Sequence, residues 1–178
     1  MDLLLSFEKK PPGKKSCFRI EGDPPSYINT CPISIKQGSY NQSMTTGSRR
    51  ELEFHDSVLH SVTWVGQTCL IALRPAYVYE VNVESGEFRA CMKQDAVFEF
   101  DGGRIEGILG DLPDPILEGS IGVELDVIEH CIPVPFDRRG TVTLKLFLWP
   151  DYREINVSAQ SVSVRLEGEA LPEPMPPN

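Results

Sequence analysis

Three histidines carry most of the chemistry this chain could do, and two of them, His55 and His60, lie close together. The adjacent His55-Asp56 pair can ligate a metal, or act as base and acid, once another histidine converges on it. In a strand that starts by residue 56, positions 56, 58 and 60 share one face, so His60 points with Asp56 and away from His55. A metal centre would therefore need His130, Cys131 or Asp126 brought in by the fold. The structural alternative is a turn in which Asp56 or Ser57 bonds nearby backbone N–H groups and His55 packs beside it. A metal needs three or four converging ligands, a strict demand, so the turn is carried forward and no metal is expected.

Glu129-His130-Cys131 is the second candidate, a thiol beside a possible base. Neighbours on an extended chain point to opposite faces, so these two would not meet. Cys131 would need His55 or His60 as its base, and no nucleophile signature surrounds it. Phosphate-binding glycine loops, a GxSxG elbow and nucleotide fingerprints are absent from the sequence. No catalytic residue and no cofactor are assigned.

Aromatic residues form a third set: Trp64, Tyr77, Tyr79, Phe88, Phe98, Phe100, Trp149 and Tyr152. Such side chains anchor interfaces and sugar sites. They also fill β-cores, the usual explanation. Trp149 and Tyr152 flank Pro150-Asp151 in a turn, so they are the two expected to be exposed.

The elements that must position these groups are strands. At 178 residues and 40% hydrophobic, the chain suffices for one domain with a real core. The formal net charge of -9 argues against a surface that tracks phosphates, so nucleic acid is not expected as a partner. No stretch approaches the ~20 apolar residues of a membrane span, and Leu3-Leu4-Leu5 is too short for a signal-peptide core. Cys17, Cys31, Cys69, Cys91 and Cys131 form no CxxC pair, and they are read as mostly reduced thiols in a cytoplasmic protein.

Charge divides the chain. Residues 1–43 hold six Lys/Arg and four Asp/Glu, while 44–178 hold eleven and twenty-two. The first part carries Lys9-Lys10, Lys14-Lys15, Pro11-Pro12 and Pro24-Pro25 without sustained periodicity. It reads either as a basic, irregular extension or as sequence upstream of a start at Met44. Residues 44–170 are the expected β-domain, and 171–178, with four prolines, the expected mobile tail.

Within the domain, Val58–Val65 and Thr68–Leu73 read as a hairpin around Gly66-Gln67. Alternation then marks strands at 76–83, 95–101, 119–127 and 142–148. Asp101-Gly102-Gly103 turns into a return strand at 104–109. Residues 153–159 and 161–166 complete the set. The prolines in 110–116 and 129–140 mark loops. No window of 11 or more residues carries a helical period. The fold class is all-β: a single-domain antiparallel β-sandwich or open barrel of about eight to ten short strands.

Phe54-His55-Asp56-Ser57, followed by an apolar strand, a Gly turn and a second apolar strand, resembles a recurrent opening in small bacterial proteins of unknown function. Some immunity proteins of polymorphic toxin systems look similar. Gly107–Pro113, Ile132-Pro133-Val134-Pro135-Phe136 and the closing strands fit the same pattern over residues 51–168. The resemblance implies a compact β-domain without catalytic residues, and for part of the group a toxin-neutralising role. Acidic proteins of this kind meet a basic partner by charge complementarity. Asp111, Asp114, Glu118, Glu129 and Asp137, with Trp149 and Tyr152, would then form the binding rim. The expectation is a non-enzymatic, cytoplasmic protein-interaction module with a protein partner and no membrane role. A small-ligand or carbohydrate-binding β-sandwich is the alternative, and a metal-dependent enzyme using His55, Asp56, His60 and His130 comes third.

Overall fold

A computed structural model describes residues 47–107 and 109–174. The basic extension, Met44 and the last four residues of the tail lie outside the described residues. Ten strands follow one another: β1 (Ser48–Glu53), β2 (Val58–Val65), β3 (Thr68–Asn82), β4 (Phe88–Asp101), β5 (Arg104–Gly107), β6 (Asp114–Val123), β7 (Asp126–Glu129), β8 (Cys131–Val134), β9 (Phe136–Leu148) and β10 (Arg153–Glu173). All pairings are antiparallel within one sheet, in the order β2-β6-β9-β10-β4-β3-β1-β8, with β5 on β10 and β7 on β6.

Because β2 also pairs with β3, six strands close on themselves. The closure is partial and the result is not a regular barrel: β2 meets β6 only through Val58↔Pro115 and Leu59↔Asp114. β1 and β8 extend the sheet beyond β3.

The strand alternation produces the core directly. On β9, Val142, Leu144, Leu146 and Leu148 are buried while Thr143 is exposed. Ile71, Leu73, Phe98, Phe100, Val162 and Val164 complete the facing wall from β3, β4 and β10. Phe98 stacks on Phe100 at 6.1 Å and on Phe54 at 6.0 Å between ring centroids. Phe54 reaches this position because Gly119 on β6 has no side chain: a Cβ there would lie 2.4 Å from the Phe54 ring.

Several boundaries differ from the sequence reading. The pieces 68–73 and 76–83 are one strand, with Pro75 falling where the β3–β4 register shifts between Leu73 and Ala76. Residues 153–166 likewise belong to one strand, bulged between Ala159 and Ser161. The alternating run 119–127 is instead a hairpin: β6 turns at Glu124-Leu125 into β7. The proline-marked segment 129–140 is mostly strand. Pro133 pairs opposite Glu51 on β8, a strand whose only ladder partner among the described residues is β1, where a missing N–H can face away from the ladder. Finally, Leu171, Pro172 and Glu173 pair with Lys93, Met92 and Cys91, so the sheet runs three residues past the boundary drawn at 170.

Candidate functional site

Between β1 and β2 the chain makes the Phe54-His55-Asp56-Ser57 turn. Ser57 is buried and binds both ways: its Oγ donates to the Glu53 carbonyl at 2.6 Å and accepts from the Tyr77 N–H at 3.0 Å. Asp56 takes a left-handed φ of 64°, and its N–H donates to the Ile116 carbonyl at 3.0 Å. Asp and Asn are among the side chains that tolerate this region best. His55 Nδ1 donates to the Leu117 carbonyl at 2.6 Å, which leaves Nε2 3.6 Å from Asp56 Oδ1. One ring nitrogen is thus spent on tying the turn to β6. His130 lies on the same side of the fold: its N–H bonds the Gly119 carbonyl at 3.0 Å, and its carbonyl accepts from Phe54 N–H at 2.8 Å.

His60 stands exposed on β2. Among the described residues no group of three His, Cys, Asp or Glu side chains could hold a metal ion. His55, Asp56, His60 and His130 therefore do not assemble into a centre, because two of the histidines are held by turn geometry and the third sits on a separate strand.

The fold builds a polar cluster that the sequence did not point to. Strand register sets Glu51 opposite Tyr79 and Tyr79 opposite Cys91, with Glu53 opposite both Tyr77 and Cys131. These side chains share one face of the sheet, the one turned away from Leu52 and Phe54. Glu53 bonds the Tyr79 hydroxyl diagonally, and Tyr79 also bonds Cys91. Burial raises the Glu53 carboxyl above its ordinary range, and the charge of Asp56 adds to this. The Tyr79 bond and the nearby His55 and His130 work against it. Tyr79 is pushed well up by burial and by the Glu53 charge beside it.

Burial likewise raises the Cys91 thiol, while Cys69, in the core, is pushed up to about 11. A thiol held neutral is a poor nucleophile, so Cys69 and Cys91 suit packing rather than catalysis. One row further on, Lys93 bonds Glu173 at 2.9 Å and lies 5.3 Å from the centre of the Tyr77 ring. Glu51 pairs with Arg49 at 2.6 Å, and its Oε2 is buried without a hydrogen bond. The cluster ties five strands together, and burial works against thiolate formation at Cys91.

The expected acidic rim is divided by the fold. Asp114 is buried at the start of β6 with its carboxylate bound to Arg153, so it is not available to a partner. Arg153 also donates to the Leu109 carbonyl at 2.9 Å. Asp111 is exposed in the loop just before β6. Glu118, Glu129 and Asp137 are exposed too, but on β6, β7 and β9, paired opposite Phe147, Ser120 and Ser163.

Trp149 and Tyr152 are 49% and 68% exposed, their ring centres 6.2 Å apart and their planes at 66°. The Trp149 N–H donates to the Pro115 carbonyl at 2.9 Å, so this turn and Asp111 lie at the same end of the fold. A shallow depression elsewhere is lined by Glu124, Gly140, Thr141, Ala159 and Gln160, where Glu124 already accepts from the Thr141 N–H at 2.9 Å.

Glu53 and Arg153 escaped the sequence reading, and Tyr79 and Cys91 were read only as an aromatic and a reduced thiol, because strand register alone gives them these partners. The one available signal was the alternation of Glu51 and Glu53 against Leu52 and Phe54, which reads as a solvated face. No protein-family model, curated protein or solved structure matches this chain.

Proposed function

We propose that the protein is a non-enzymatic interaction module of the bacterial cytoplasm, acting by occlusion of a basic protein partner in the manner of an immunity protein. The observation that supports this reading is the exposed Trp149–Tyr152 pair at the β9–β10 turn. It stands on a braced base: Trp149 N–H on Pro115, and Arg153 bound to Asp114 and to the Leu109 carbonyl. Aromatic anchors held rigid in the free protein lose little entropy on binding. Asp111 and Asp151 flank them, and the net charge of -9 favours encounter with a basic face. Buried, unbridged Cys69 and Cys91 suit a reducing compartment.

The carbohydrate reading draws less support from the same pair. Planes at 66° do not offer two parallel platforms to a sugar face.

The test is capture from the native host with the full chain tagged at its carboxyl end, followed by mass spectrometry. One dominant basic partner is expected, retained at low salt and lost at high salt. A double variant, Trp149→Ala with Tyr152→Ala, should lose that partner while keeping its unfolding midpoint. A wild-type chain that elutes with no protein partner overturns the proposal.

A further inference from the structure

A sheet that closes only partly leaves edges, and free edges pair with other chains unless the sequence blunts them. Among the described residues several strands have a ladder on one side along part or all of their length, and the one-sided runs 136–139 of β9 and 165–173 of β10 carry charged residues. β8 pairs only with β1, and it carries Pro133 with Pro135 just after it. β5 pairs only with β10, is four residues long and carries Arg104 and Glu106. β7 pairs only with β6, is also four residues long and carries Asp126 and Glu129. Each has the short length, charge or proline that discourages pairing.

β2 has none of these. Its contact with β6 ends at Leu59, because Leu59 pairs with Asp114, the first residue of β6, and β2 runs on past that start. From His60 to Val65, β2 is bonded on the β3 side alone among the described residues. Over Ser57–Thr68 there is no charged residue and no proline. Trp64 is 49% exposed and Val65 66%.

The hairpin defines which groups are free. Val65 and Thr68 flank the two-residue turn Gly66-Gln67, with Gly66 at φ 62°, so they form a hydrogen-bonded pair. Bonding to β3 then alternates through Val65 and Thr63, and the N–H and C=O groups of Val62 and Trp64 point outward.

We propose that β2 pairs antiparallel with β2 of a second copy of this chain, with Thr63 on the twofold axis. That register sets Val62 opposite Trp64 of the second copy, twice, and lets their outward groups bond each other. A β-branched residue opposite an aromatic is a favourable cross-strand pair. The interface is self-complementary, as a twofold requires. Charge selects the occupant: two chains of net charge -9 repel over most of their surface, and this uncharged edge is where like can meet like.

The experiment is sedimentation equilibrium of the full chain over a concentration series, with Thr63→Lys, Thr63→Glu and an equimolar mixture of the two. Thr63 is exposed, so both variants should keep the wild-type unfolding midpoint at concentrations low enough for every chain to be monomeric. Wild type is expected to form a dimer. Each variant alone is expected to be monomeric at concentrations where wild type is dimeric, since like charges face each other across the axis. The mixture should regain the dimer, a rescue that damage to the fold could not produce. A wild-type chain that stays monomeric, a Thr63→Lys chain that dimerises like wild type, or a mixture that stays monomeric would each overturn the proposal.

Discussion

Glu53 is an acid that the fold places in surroundings unfavourable to its charge. Its neutral form is favoured in the fold, since burial raises its carboxyl above the ordinary 4.5. An acid that holds its proton more tightly when folded makes stability fall as pH rises from its unfolded pKa through its folded pKa. Above that window the full penalty remains; below 4.5 it is absent. Glu53→Gln keeps an acceptor for the Tyr79 hydroxyl and removes the titration. Urea midpoints measured from pH 4 to pH 8 should therefore decline less for Glu53→Gln than for wild type. Identical pH profiles would mean that Glu53 is as well solvated folded as unfolded. Burial likewise disfavours the thiolate at Cys91 and Cys69, which suits packing rather than reactivity.

Among the elements, β6 shows most clearly how local choices set the packing. It starts with Asp114 held by Arg153, passes Gly119 under the Phe54 ring, and takes the His55 and His130 turns as hydrogen-bond partners through Leu117 and Gly119. A methyl at Gly119 has no room. Gly119→Ala should cost about 1–3 kcal/mol by overpacking, read as a lower denaturant midpoint with little change in slope. A midpoint equal to wild type would show that Phe54 can move aside. Prolines at β8 were legible only as loop markers, because their fitness for an edge strand depends on which neighbours that strand has.

Over the whole molecule, stability should follow the ladder. β3, β4 and β10 are paired on both sides over long runs, whereas the ring closes through two residue pairs at β2 and β6. Amide exchange should therefore open the Val58–Leu59 seam before the β3–β4–β10 strands. Uniform protection around the ring would indicate a closed, cooperative barrel instead. Dilution should also speed exchange at Val62 and Trp64 if the β2 edge pairs with a second copy, since those amides then lose their partner.

By itself the amino-acid sequence determined the all-β class, the β2–β3 hairpin, the alternating core positions of β9 and the exposure of Trp149 and Tyr152. All of these follow from short-range rules: a two-residue side-chain period, turn residues, and the absence of a helical repeat. Only the tertiary structure decided that 119–127 is a hairpin, that 129–140 is mostly strand, and that the sheet closes into a partial ring. It alone turned Asp114 from a rim charge into the partner of Arg153, and brought Glu53, Tyr79 and Cys91 together from three strands. The physical reason is that register between distant strands assigns neighbours, and a side chain's burial, bonding and protonation depend on those neighbours rather than on its own segment.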